Sequence, residues 1–193
     1  MTDIEDRTIR RDARRNRQRL IDAALHAFTS GRDPVTLEAI ARDAGVGIGT
    51  LYRHFPTRES LVEAAYRSEL GRLRASAEDL LAELRPDAAL RAWMDQFAEY
   101  VTAKRGMVET LRAIAAAGAI TPSQTREQVI ATITMLLAAG VAAGTVRADV
   151  RPDDLFASLT GIFLAAGGVE QRDQAGRILD LFMAGLRTGP ARP

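Results

Sequence analysis

Seven arginines, Arg7, Arg10, Arg11, Arg14, Arg15, Arg17 and Arg19, crowd into thirteen residues with Asp12 as the only acid among them, a local charge of +6. Guanidinium groups at this density neutralise phosphates, so the segment has the composition of an arm that follows a nucleic-acid backbone or enters a minor groove. A solvated, frayed terminus has the same composition, and the residues that follow must decide between the two. Other reactive side chains are scarce. Cysteine is absent, which removes disulfides, thiol nucleophiles and cysteine zinc sites together. Only His26 and His54 represent histidine, too few for a histidine metal site or a Ser-His-Asp triad. With no phosphate loop and no paired His-carboxylate motif, the chain is expected to be no enzyme and to need neither metal nor cofactor.

The 193 residues balance 26 Lys and Arg against 25 Asp and Glu, so the basic segment is a local feature of a nearly neutral chain. Apolar residues make up 47%, ample for a buried core. The polar and basic start, followed by no apolar run, argues against export and for the cytoplasm. Gln128 to Val146 is free of charge for 19 residues, close to the roughly 20 that span a bilayer. Seven of its residues are Ala or Gly and three are threonines, which suits a buried helix in a bundle better.

The arginines lead into elements that can position them. Ile21, Ala24, Leu25 and Phe28 repeat at helical spacing and predict a first helix ending near Gly31. Thr36 is a good N-cap for a second helix, with Glu38 in its first turn and Leu37, Ile40, Ala41 and Ala44 facing inward. Ala39 stands where a full capping box would place Glu or Gln. Gly45 can end that helix in the left-handed conformation, and a short third helix follows over about Gly47 to Phe55. The Ala41, Gly45, Leu51 spacing supplies a small residue at a helix crossing, a tolerant turn residue and an apolar wedge, the needs of a helix-turn-helix. With Leu51 and Phe55 inward, Gly49, Thr50, Tyr52 and Arg53 turn outward at 100° per residue, where they can reach phosphates and base edges.

The run from Ile40 to Leu61, with Gly49-Thr50-Leu51-Tyr52-Arg53-His54-Phe55 at its centre, resembles the DNA-binding domain of TetR-family regulators, and the likeness spans roughly residues 13–62. It implies an all-α homodimer: an N-terminal three-helix helix-turn-helix domain (1–62, with the basic arm) and a C-terminal antiparallel helical bundle (63–193) for ligand sensing and dimerisation. Carried over by position, it implies that Gly49, Thr50 and Tyr52 approach bases or backbone. Arg53, His54 and Arg58 become phosphate contacts, and Thr36 caps the second helix beside a phosphate. Arg10, Arg11, Arg14 and Arg15 join them from the arm. Gly47 and Ile48 depart from the family, which commonly carries Ser and a long polar residue there. Readout from this helix is therefore poor in hydrogen bonds, and Ile48 is placed to meet a thymine methyl unless the arm and DNA shape take over.

Beyond Thr57 the apolar spacing predicts six more helices, about nine in all, and no strand. One runs from Leu61 to Leu84, and the next opens at Pro86-Asp87 and carries Leu90, Trp93, Met94, Phe97 and Tyr100. Met107–Ala117 and Gln124–Ala143 follow. Pro152 opens another, with Leu155, Leu159, Ile162, Phe163 and Ala166 on one side. After Gly167-Gly168 the last carries Ile178, Leu181, Phe182 and Leu186. The final two helices read as a hairpin whose stripes, Leu155, Leu159, Ile162, Ala166, Ile178, Leu181, Phe182 and Leu186, pair with a second copy. Trp93, Met94, Phe97, Tyr100, Met107, Leu111, Met135 and Phe163 are candidates to line a pocket for a small apolar effector, with Tyr100 and Thr132 or Thr134 orienting it. The same residues at helical spacing also suit plain core. The expected partners are a palindromic operator in double-stranded DNA, a second copy and a small-molecule effector, with no membrane.

Overall fold

The computed structural model describes residues 2–30, 35–165 and 172–188. Among them lie nine helices and no strand: α1 Thr2–Thr29, α2 Leu37–Asp43, α3 Ile48–His54, α4 Arg58–Glu83, α5 Pro86–Gly106, α6 Val108–Ala116, α7 Pro122–Ala142, α8 Pro152–Ala165 and α9 Arg172–Leu186. The all-α expectation holds. The arginines expected to form the arm are themselves helical, Arg7 to Arg19 lying within α1. Arginine is a good helix former and nothing between Thr2 and Thr29 breaks the helix. Ala166 and the Gly167-Gly168 break lie outside the described residues. No described helix is long and apolar enough to cross a membrane.

The helices gather into two compact units. The first holds Met1–Glu69 and Ala103–Ile120, the second Leu70–Thr102 and Thr121–Pro193. In the first, Leu20, Ile21, Ala24, Leu25 and Phe28 of α1 are buried, as are Ile40 and Ala41 of α2 and Leu51 of α3. α1 touches both α2 and α3. Thr36 caps α2, its hydroxyl accepting from the Ala39 amide at 3.2 Å. The far end closes as a Schellman turn: Gly45 sits at φ 64°, its amide donates to Arg42 O at 2.9 Å and the Val46 amide to Ala41 O at 3.0 Å. Only a residue tolerant of positive φ fits there. Gly45→Ala is therefore predicted to lower Tm by about 2–8 °C, and Gly45→Asn by less. Equal melting of all three proteins would show that the turn tolerates any residue.

In the second unit α7 packs on α8, and α8 on α9. Its centre is aromatic. The Trp93 and Phe97 rings stack at 5.6 Å, and Phe97 also meets Tyr100 at 5.7 Å, Phe163 at 5.9 Å and Phe156 at 6.4 Å. The Trp93 indole N–H donates to Leu73 O at 2.9 Å, which satisfies the one polar atom of a wholly buried side chain. Polar ties fix α9. Arg91 Nε donates to Asp180 at 2.7 Å and Arg187 Nε to Asp87 at 3.0 Å. The turn after α7 is strapped to the end of α9 through Arg147 N to Leu186 O at 2.9 Å and Thr188 Oγ1 to Gly144 O at 2.6 Å.

Candidate DNA-binding surface

Within the first unit, α3 turns Leu51 inward to complete burial and Phe55 closes behind it. Ile48, Gly49, Tyr52 and Arg53 are exposed, Thr50 and His54 half-buried. Of the predicted outward face, Gly49, Tyr52 and Arg53 are thus exposed and Thr50 is half-buried. Gly47, also exposed, is the N-cap of α3 and makes no side-chain cap bond. The His54 ring lies 6.4 Å from that of Phe55, tilted by 51°.

The basic half of α1 is organised in a way its charge count did not reveal. Arg7, Arg10, Arg14 and Arg17 repeat at three- and four-residue intervals and run on into Ile21, Ala24 and Phe28. A helix face with this spacing is continuous. The seam that is buried and apolar in the second half of α1 is thus basic and exposed in the first, over about 15 Å from Arg7 to Arg17. Arg11 and Arg15, each one residue further on, are also exposed beside it. This periodicity is legible in the sequence.

Two arginines of the basic segment, Arg17 on the seam and Arg19 off it, reach the residues that flank α3. The Arg17 guanidinium lies over the Phe55 ring, 5.0 Å from its centroid. That of Arg19 lies against Gly45, so close that a β-carbon there would come within 2.5 Å of its Nη2. Both ends of the short helix, the turn before it and the cap after it, are consequently in contact with the basic segment. Arg58 works from the other side. Its Nη1 donates to Val35 O at 2.6 Å and its guanidinium lies 5.8 Å from the Phe28 ring centroid. These contacts tie the start of α4 to the residues before α2, and any phosphate contact by Arg58 comes in addition to them.

The residues expected elsewhere divide by environment. Trp93, Met94, Phe97, Tyr100 and Phe163 are buried in the second unit, and Met135 is half-buried there. Met107 and Leu111 are buried in the first unit. Thr132 is buried with its hydroxyl donating to Gln128 O at 3.1 Å, whereas Thr134 is exposed. Of the hairpin stripes, Leu155, Leu159 and Leu186 are buried within the subunit. Side chains already enclosed have little area left for a partner. Ile162, Ile178 and Phe182 are half-buried, and Leu181 is 76% exposed. Leu164, not anticipated, is 66% exposed on α8.

A short helix on a glycine turn, exposed on one face and bordered by arginines, is the arrangement of a helix-turn-helix protein. Residues 20–65 match bacterial regulatory proteins of the tetR family, and residues 85–188 match the C-terminal domain of SbtR-like transcriptional regulators. The chain belongs to the TetR family of transcriptional regulators. It is similar over its length to a TetR transcriptional regulator from Streptomyces coelicolor, 48% identical with a TM-score of 0.83, covering 90% of this chain and 99% of that one. A TetR regulatory protein from Mycobacterium vanbaalenii is 34% identical with a TM-score of 0.74, covering 93% of this chain and 99% of that one. An HTH-type transcriptional regulator of Staphylococcus aureus strain USA300 is 41% identical over 54 residues, which are 28% of this chain and 29% of that regulator.

Proposed function

We propose that two copies of this chain bind a palindromic operator and repress transcription in the cytoplasm, and that a small apolar or amphipathic ligand releases them. The protein is read as a regulator without a catalytic role. The observation that carries the reading is the seam of exposed arginines on α1 beside an exposed α3, with Arg17 over Phe55 after that helix and Arg19 against Gly45 before it. Such a surface combines groove-sized shape with a source of phosphate neutralisation. Selection from a pool of random duplexes is expected to return an inverted repeat, its half-sites one turn of about 34–36 Å or a multiple apart. Recovery of no preferred sequence would overturn it.

Leu164 and Leu181 support the two-copy part, since large apolar side chains left this exposed on neighbouring helices mark a surface that pairs. Leu181→Glu is expected to sediment as a monomer at concentrations where the unaltered chain is a dimer. A dimeric variant would move the interface elsewhere. Release by ligand requires unequal affinity for two conformers. A second reading, a constitutive or protein-controlled regulator, is favoured by the mutual packing of Trp93, Phe97, Tyr100 and Phe163. These are the residues that a pocket would need.

A further inference from the structure

Gly47 and Gly49 flank Ile48, and the fold requires neither. A β-carbon built at either position meets nothing within 4 Å, and Gly47 has an ordinary extended backbone at φ −68° and ψ 147°. Serine or aspartate at position 47 would cap α3, which has no side-chain cap bond. Alanine at position 49 would be a better helix residue. Two glycines that weaken a helix and relieve no crowding within the chain make sense against a surface arriving from outside. Between them Ile48 is 39% exposed, with Tyr52 one turn further on at 46%. The Ile48 side chain has no donor or acceptor, so burying a polar base edge beneath it would leave that edge unsatisfied. The major groove offers one apolar group, the C5-methyl of a pyrimidine.

We propose that Gly47, Ile48 and Gly49 form a specificity element for a C5-methyl pyrimidine in each half-site, Ile48 meeting the methyl and the glycines providing the clearance. This deepens the operator-binding reading and rests on it. Thymine carries the methyl in unmodified DNA, and 5-methylcytosine presents the same group at the same place.

The test uses the full-length protein and the duplex it selects from a random pool. Each half-site thymine is replaced in turn by deoxyuridine, which removes only the methyl. At one position per half-site affinity is expected to fall about fourfold, and about fifteenfold when both half-sites are changed, as expected for one buried methyl each. With cytosine and then 5-methylcytosine at that position, the methylated duplex is expected to bind better by a similar factor. A gain there shows that the methyl suffices whichever base carries it; no gain would overturn the methyl as the feature read. In Ile48→Ala, an exposed change, the thymine–deoxyuridine difference is expected to vanish. Gly49→Ala is expected to raise Tm by about 2–4 °C while weakening binding about tenfold. A structural role for Gly49 would move both in the same direction. A selected duplex that tolerates deoxyuridine at every thymine overturns this proposal and leaves operator binding intact. So does a thymine–deoxyuridine difference that persists in Ile48→Ala, while selection of no sequence overturns both readings.

Discussion

With Arg10 and Arg14 both changed to alanine, operator affinity is expected to fall about sixtyfold at 0.1 M salt and hardly at all at 1 M, the log–log salt slope losing about 1.8. The magnitude follows from counterion release, about 0.9 of an ion for each phosphate neutralised. Both side chains are exposed and lie one turn apart on the basic seam. Alanine keeps the helix, so stability should change by less than about 0.5 kcal/mol. A random duplex should lose affinity by a similar factor, because phosphate contacts carry no base information. Arg112→Ala provides the control. That arginine is exposed on α6 and bound to Glu109 at 3.0 Å, and its loss should leave the slope unchanged. Titrations at several salt concentrations decide the matter. An unchanged slope in the double variant would remove the seam from the DNA surface and return the arginines to solvent.

That seam shows what the sequence made legible and what it concealed. The helix-turn-helix could be read because its requirements are local. Ala41, Gly45 and Leu51 answer to a crossing, a positive φ and a wedge within eleven residues, and the Gly45 turn forms as those needs dictate. The arginine segment was legible as charge but not as structure. An arm that enters a minor groove and a helix with a basic face have the same composition, and only the three- and four-residue spacing separates them. The hairpin posed a different problem. A helix in a bundle can have one apolar face towards its own core and another towards a partner, and periodicity marks both alike. Burial distinguishes the residues, Leu155, Leu159 and Leu186 being enclosed while Leu181 and the unanticipated Leu164 are exposed. Met107 and Leu111 illustrate the remaining limit. Their apolar character was evident, but whether they gather with Trp93 depends on how α5 and α6 are shared between units, a property of the whole fold.

Trp93→Ala is expected to destabilise the protein by about 3–5 kcal/mol, lowering Tm by about 10 °C. Trp93 is wholly buried, stacks on Phe97 at 5.6 Å and donates its indole N–H to Leu73 O at 2.9 Å. Truncation removes the largest side chain of the cluster, leaves a void that close-packed neighbours refill only in part, and strips Leu73 O of its side-chain donor. Trp93→Phe keeps much of the packing and loses the hydrogen bond, so a loss of about 1–2 kcal/mol is expected from it. Equilibrium denaturation by urea separates the two variants. The size of the Trp93→Ala loss also bears on ligand control. Ring atoms that pack on protein all round lose their full transfer and cavity contributions, whereas a ring forming the wall of an open cavity loses much less. A loss near 4 kcal/mol therefore supports the packed-core reading, under which a ligand must displace these rings to enter and its binding must offset that rearrangement. A loss below about 1 kcal/mol would contradict the packed core and place Trp93 at the wall of a space that a small apolar molecule can fill.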